Sequence, residues 1–145
     1  MNDNIMSVAE YNKKYKKPER NDYEHQEQVD LFYWVALYES HYPELGLMFA
    51  IPNGGQRNVL VAMKMKAEGV KAGIPDIFLP VAKQGFHGLF IEMKYGKNKT
   101  SENQKLWIEN LKEQHYRVEV CYGSREAQNV LIDYLDLPLH LGVEQ

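Results

Sequence analysis

An α/β domain, a small mixed sheet flanked by helices, is expected from three features of this 145-residue chain. Segments with helical apolar spacing alternate with short apolar runs of strand length, in the order α, β, α, β, β, α, β, α. Hydrophobic residues make up 44% of the chain, enough for one compact core without disulfide or metal support. No internal repeat or low-complexity tract interrupts the pattern.

The elements follow in order. Residues 1–20 are polar and Lys-rich, aperiodic apart from Tyr11 and Tyr15, and read as an N-terminal arm; residues 21–137 read as the domain and 138–145 as a tail. From Asp22, an available N-cap, the spacing predicts a helix reaching Tyr42, with Val29, Phe32 and Ala36 on one stripe and Leu31, Trp34 and Tyr38 on another. Apolar on most sides, this helix is expected to be largely buried. Glu24, Glu27, Gln28 and Leu31 share one side of its first turns.

After Pro43, Leu47 to Ile51 reads as a strand, and Pro52-Asn53-Gly54-Gly55-Gln56-Arg57 as a glycine-rich turn that exposes backbone amides. Val59 to Glu68 has helix-forming composition, with Gly69 placed to cap its C-terminus. Two further apolar runs, Ile77 to Val81 and Leu89 to Met93, flank a reversal over 83–88 and read as a β-hairpin. With the loop centred near Gln84 and Gly85, antiparallel pairing sets Asp76 opposite Glu92 to Lys94, about 5 Å across the ladder. Glu92 and Lys94 then share one face, and Ile91 and Met93 the other.

Beyond the hairpin, Tyr95-Gly96-Lys97-Asn98-Lys99 is a basic loop. Thr100 or Ser101 opens a helix to about Gln114, with Leu106, Trp107, Ile108 and Leu111 expected to face inward. Tyr116 to Tyr122 alternates as a half-buried strand, and a helix from Arg125 to Leu135 closes the domain before Pro138.

Composition limits the function classes. The single cysteine, Cys121, excludes an intrachain disulfide and a cysteine-based zinc cluster, and favours a reducing, cytosolic setting. No apolar run reaches the ~20 residues of a membrane span. Net charge of −3 and a pI near 6.0 argue against nucleic-acid binding by bulk electrostatics. The positive charge is nevertheless clustered, in Lys13, Lys14, Lys16, Lys17 and Arg20, and again in Lys94, Lys97 and Lys99. Such a local patch can contact phosphates on an acidic protein, although both runs also fit ordinary solvated faces.

The chemistry gathers at the open end of the hairpin. Hard divalent cations such as magnesium prefer carboxylate oxygen, and Asp76 with Glu92 supplies a pair that leaves room for water and a substrate phosphate. Lys94 can then orient or help deprotonate that water and stabilise charge building on phosphorus. The same spacing also fits a cross-strand ion pair on a solvent face, worth under ~1 kcal/mol. Other constellations fail: the five histidines have no paired zinc spacing, no serine sits in a G-x-S-x-G elbow, and Gly96-Lys97-Asn98-Lys99-Thr100 lacks the Gly-Lys step of a phosphate loop. No nucleotide cofactor is expected. Cys121 reads as a sheet or core residue, and Trp34, Tyr33 and Trp107 as core rather than base-stacking platforms.

G-V-K-A-G-I-P-D from Gly69 to Asp76, followed by I-E-M-K from Ile91 to Lys94, resembles the PD-(D/E)XK nuclease superfamily. Together with P-N-G-G-Q-R at Pro52 to Arg57, S-E-N-Q at Ser101 to Gln104 and V-C-Y-G at Val120 to Gly123, the set is similar to the VRR-NUC (virus-type replication-repair nuclease) family, over about Glu24 to Leu135. The resemblance implies a restriction-endonuclease-like core and a metal-dependent phosphodiesterase using magnesium or manganese. It places the metal on Asp76, Glu92 and the Met93 carbonyl, and makes Lys94 catalytic. It adds a helix-borne glutamate in an E-x-x-x-Q pattern, which Glu24 and Gln28 fit; Glu27 is the alternative, standing where the family usually has an apolar residue. Gln104 matches a glutamine near the superfamily's site, while Ser101-x-x-Gln104 is equally a helix capping box. Asn53, Gly54, Gly55 and Arg57, with Lys97 and Lys99, are the expected nucleic-acid contacts. Short members of the family resemble phage or prophage proteins acting as homodimers on branched DNA such as four-way junctions. A non-catalytic binding or assembly module, and a nuclease with RNA or restriction-like specificity, are the alternatives.

Overall fold

A computed structural model describes residues 20–52 and 58–142. Four helices, α1 (Arg20–Tyr38), α2 (Val59–Ala67), α3 (Glu102–Glu113) and α4 (Ser124–Leu135), surround strands β1 (Phe49–Ala50), β2 (Ile77–Leu79), β3 (Leu89–Lys94) and β4 (Arg117–Tyr122). The strands form one mixed sheet in the order β1-β2-β3-β4. The first three are antiparallel neighbours, and β3 with β4 is parallel, as the α3 crossover between them requires. The expected small mixed sheet flanked by helices is therefore present.

The hairpin turn is the one its residues dictate. Gln84 and Gly85 both have positive φ, and Phe86 donates to the Lys83 carbonyl at 2.8 Å. The ladder beyond it runs Ile77↔Ile91, Phe78↔Phe90, Leu79↔Leu89, one residue out of step with the turn's Lys83↔Phe86 pair, so one extra residue is taken up between turn and ladder. One more step places Asp76 across from Glu92. β2 stops at Leu79 rather than Val81 because Pro80 has no N–H to give the ladder.

Alternation divides the sheet. Ile77, Leu79, Leu89, Ile91, Met93 and Cys121 join the core with Leu31, Trp34 and Val35 of α1 and Ala127, Leu131, Ile132 and Leu135 of α4. Burial pushes the Cys121 thiol up to about 12, which keeps it a protonated core residue. The Trp34 indole donates to the Leu141 carbonyl, so the turn Leu139–Gly142 is docked against the body. The other face carries Phe78, Phe90, Glu92 and Lys94, and Gln104 of α3 reaches across it to Glu92 and Lys94.

Several expectations need correction. Helix α1 begins at Arg20, so Asp22 lies inside it and is not the N-cap. It is not largely buried: only the side bearing Leu31, Trp34 and Val35 meets the sheet and α4, while Val29, Ala36 and Leu37 face solvent and Tyr33 is 67% exposed. On α3 the inward face is Gln104, Trp107, Ile108 and Leu111, a 3.6-residue stripe that excludes the exposed Leu106. β1 keeps only Phe49 and Ala50, because Pro43 opens a 3-10 turn, Pro43–Leu47, that takes Leu47 out of the strand. Helix α2 forms as expected and ends at Gly69 (φ +100), with Val70 donating to the Met65 carbonyl and Gly69 to that of Lys66, yet Val59, Leu60, Val61 and Met63 are all exposed.

Candidate active site

The site forms where β3 leaves the core. Alternation turns Glu92 and Lys94 to the α3 face, and burial then isolates them: Glu92 is 2% and Lys94 8% exposed. Asp76 enters from the start of β2, its Oδ2 accepting the Met93 amide at 2.7 Å. That bond pins the carboxylate against the Met93 peptide. Lys94 Nζ lies 3.7 Å from Glu92 Oε1, too long for a direct hydrogen bond.

Gln104 fills the gap. Its Oε1 accepts from Lys94 Nζ at 3.0 Å and from the Ser101 amide at 2.8 Å, while its Nε2 donates to Glu92 Oε1 at 2.9 Å. Ser101 Oγ accepts the Gln104 amide in return, so the capping box of α3 also fixes the side chain that orients Lys94 and Glu92. The two roles the sequence leaves open are compatible, because one amide group has enough donors and acceptors for both.

The electrostatics are those of two carboxyls crowded out of water. Burial, and then the Asp76 charge, raises Glu92 from 4.5 to about 8, with Lys94 pulling the other way. Asp76 is raised too, chiefly by burial, against its hydrogen bond from Met93 and the Lys94 charge. Glu92 Oε2 is buried without a donor. Both shifts favour a proton on the acidic pair when no cation is bound. Hard oxygen donors, a surplus of negative charge and a buried oxygen lacking a donor fit a divalent cation, which would displace that proton.

Helix α1 separates its two glutamates. Glu27 Oε2 accepts the Ser124 amide at 2.7 Å, closing the N-terminus of α4, where Gly123 offers no side-chain cap. Glu24 points the other way: its Oε1 accepts from Asn98 Nδ2 at 2.6 Å, and its charge contributes to raising both Asp76 and Glu92. It stands beside the acidic pair; among the described residues no three His, Cys, Asp or Glu converge as a metal cage. Asn98 is not legible as a site residue from spacing or composition. It lies in the basic loop, where its amide donates to the Tyr95 carbonyl at 3.2 Å and its carbonyl accepts from the Tyr122 hydroxyl at 2.8 Å. Lys97 and Lys99 are exposed on either side of it. Asn53, Gly54, Gly55 and Arg57 lie outside the described residues, as does the arm through residue 19.

Comparison with known proteins gives this geometry a context. A solved structure described as a VRR_NUC domain protein superposes with a TM-score of 0.63 at 26% identity, over 79% of this chain and 89% of that one. No curated protein matches the sequence. The VRR-NUC domain model matches residues 12–125, a span that takes in Asp76, Glu92, Lys94 and Gln104 and covers well over half of the chain, which therefore belongs to the VRR-NUC family of nuclease-type domains.

Proposed function

We propose that the protein is a magnesium- or manganese-dependent endonuclease that hydrolyses phosphodiester bonds in branched DNA. The observation that carries this reading is the buried convergence of Asp76, Glu92 and Lys94 around a carboxylate oxygen with no donor, in a chain of a nuclease-type family. A surface ion pair, the bland explanation of the same spacing, needs solvent exposure that Glu92 and Lys94 do not have.

Asp76, Glu92 and the Met93 carbonyl would hold the cation, with Glu24 at its margin. When bound, the ion supplies positive charge opposite the phosphate and lowers the pKa of water. The protein does the rest by placement. Gln104 holds Lys94 Nζ near Glu92 without letting the two collapse into a direct pair, so the lysine keeps donors for a phosphate oxygen or an attacking water. Asn98 holds Glu24 toward the acidic pair, and Lys97 and Lys99 offer phosphate contacts nearby. Among the described residues no helix is long and apolar enough to cross a membrane. The exposed apolar side chains of α2 (Val59, Leu60, Met63) and α1 (Val29, Tyr33, Leu37) support a homodimer, in which a second copy would cover them and two sites would cut two strands.

Labelled duplex, flap and four-way-junction DNAs, incubated with and without magnesium, test the reading. Metal-dependent cutting, strongest on branched substrates and lost in Asp76→Ala and Lys94→Ala, is expected. Undiminished cutting by both variants would rule the mechanism out, and salt-sensitive binding without cleavage would assign the chain to the binding modules instead.

A further inference from the structure

Two aromatic rings beside the site have no part in the core. Tyr23 immediately precedes Glu24 on α1, and Tyr95 immediately follows Lys94 at the end of β3. Their rings stack with centroids 4.7 Å apart and planes 14° from parallel. They are 48% and 36% exposed. The turn that bears Tyr95 is held by its own hydrogen bond from Asn98, by the bond of Asn98 to Glu24, and by the Tyr122 hydroxyl. The same turn carries the exposed Lys97 and Lys99.

We propose that Tyr23 and Tyr95 are a stacking platform for an unpaired nucleobase adjacent to the scissile phosphate. This rests on the nuclease reading and names the feature of branched DNA that the site selects. A stacked pair leaves each ring one outer face, and both residues are solvent-exposed. Aromatic faces with neighbouring lysines are the chemistry of single-strand binding: the ring takes a base whatever its identity, and the ammonium groups take the backbone. A base inside a continuous duplex has both faces covered by its neighbours; one released at a flap or junction has a face free. The platform adjoins Glu24 and Lys94 in the chain, and the turn bearing Tyr95 is bonded through Asn98 to Glu24, the glutamate beside the acidic pair, so a base stacked there would bring its phosphate toward that pair. A purely structural clamp between α1 and the turn would show none of this dependence on the base.

The test uses the full chain carrying Asp76→Asn, so that the DNA stays intact, and a flap with 2-aminopurine as its first unpaired nucleotide. Binding should quench the fluorophore, and an abasic nucleotide at that position should weaken binding on the order of tenfold. Tyr95→Leu, which keeps an apolar side chain, should abolish both effects, and Tyr95→Phe should restore them. A quench that survives Tyr95→Leu, or equal weakening of intact and abasic DNA by that variant, would overturn the platform. Cutting by the wild-type protein with no base dependence at that nucleotide would overturn it and leave the nuclease reading standing; absence of cutting on every DNA would remove both.

Discussion

The β2–β3 hairpin has two ends of opposite character. At the closed end polar groups find partners: Phe86 donates to Lys83, the Gln84 side chain donates to the carbonyls of Asp133 and Tyr134 at 2.8 and 3.1 Å, and Lys83 pairs with Glu44 at 3.3 Å. At the open end, a few residues along the same strands, Glu92 Oε2 has no donor and both acidic side chains are raised toward their protonated forms. The difference separates what folds the hairpin from what it is used for. Satisfied groups hold the closed end, and the register of the ladder forces unsatisfied ones together where a cation and a phosphate would complete them.

Replacing the open end's charge should produce the largest effect. Asp76→Asn keeps an oxygen for the Met93 amide while relieving repulsion with Glu92, so the protein should melt no lower than wild type and lose roughly a thousandfold or more in kcat. A lowered Tm of matching severity would mean that Asp76 is structural. The next effect is on pH. Glu92 binds its proton more tightly in the folded state than in the unfolded chain, where 4.5 is the reference. Stability from this group is therefore full below about pH 4.5 and is lost as pH rises through about 8. Asp76 shifts in the same direction. The metal-free protein should melt progressively lower across that window, and Glu92→Gln should flatten the slope. Thermal melts at unit pH intervals would settle it, and an unchanged slope in the variant would remove Glu92 as its source.

Much of this hairpin is legible in the amino-acid sequence, because its determinants are local. Gln84-Gly85 between two apolar runs specifies the turn and its place. Alternation within the runs, apolar side chains to the core, picks the register one residue from the turn's own pairing that opposes Asp76 to Glu92. Ser101-x-x-Gln104 likewise announces a helix start. What stays illegible depends on distant partners. Glu24 and Glu27 share the first turns of α1, and only the resemblance of Glu24-x-x-x-Gln28 to a family pattern favours Glu24; the different partners of the two come from Asn98 and Ser124, far along the chain. The exposed faces of α1 and α2 escape apolar spacing for the same reason. An apolar side chain shows that burial is favourable, and which side meets the core is decided by elements elsewhere.

The paired glutamates extend the contrast to the helix that borders both regions. Glu27→Ala removes the acceptor of the Ser124 amide and should cost about 1–2 kcal/mol of stability while leaving cleavage per folded molecule intact. Glu24→Gln should do the reverse, lowering cleavage with little change in Tm. Denaturant melts read alongside single-turnover rates distinguish the two, and loss of cleavage without loss of stability in Glu27→Ala would exchange their roles.

The smallest effect belongs to the closed end. Gly85 adopts φ +83, and a Cβ added there meets nothing within 4 Å, so Gly85→Ala introduces backbone strain and no clash. The left-handed region costs a non-glycine residue about 1–2 kcal/mol, a drop of a few degrees in Tm for a chain of this size. Because the turn lies at the opposite end of the hairpin from Asp76 and Glu92, kcat should be unchanged at temperatures well below the melt. If Gly85→Ala instead lowers kcat without lowering Tm, strain at the turn travels down the ladder to Asp76 and Glu92, and the two ends of the hairpin are one mechanical unit.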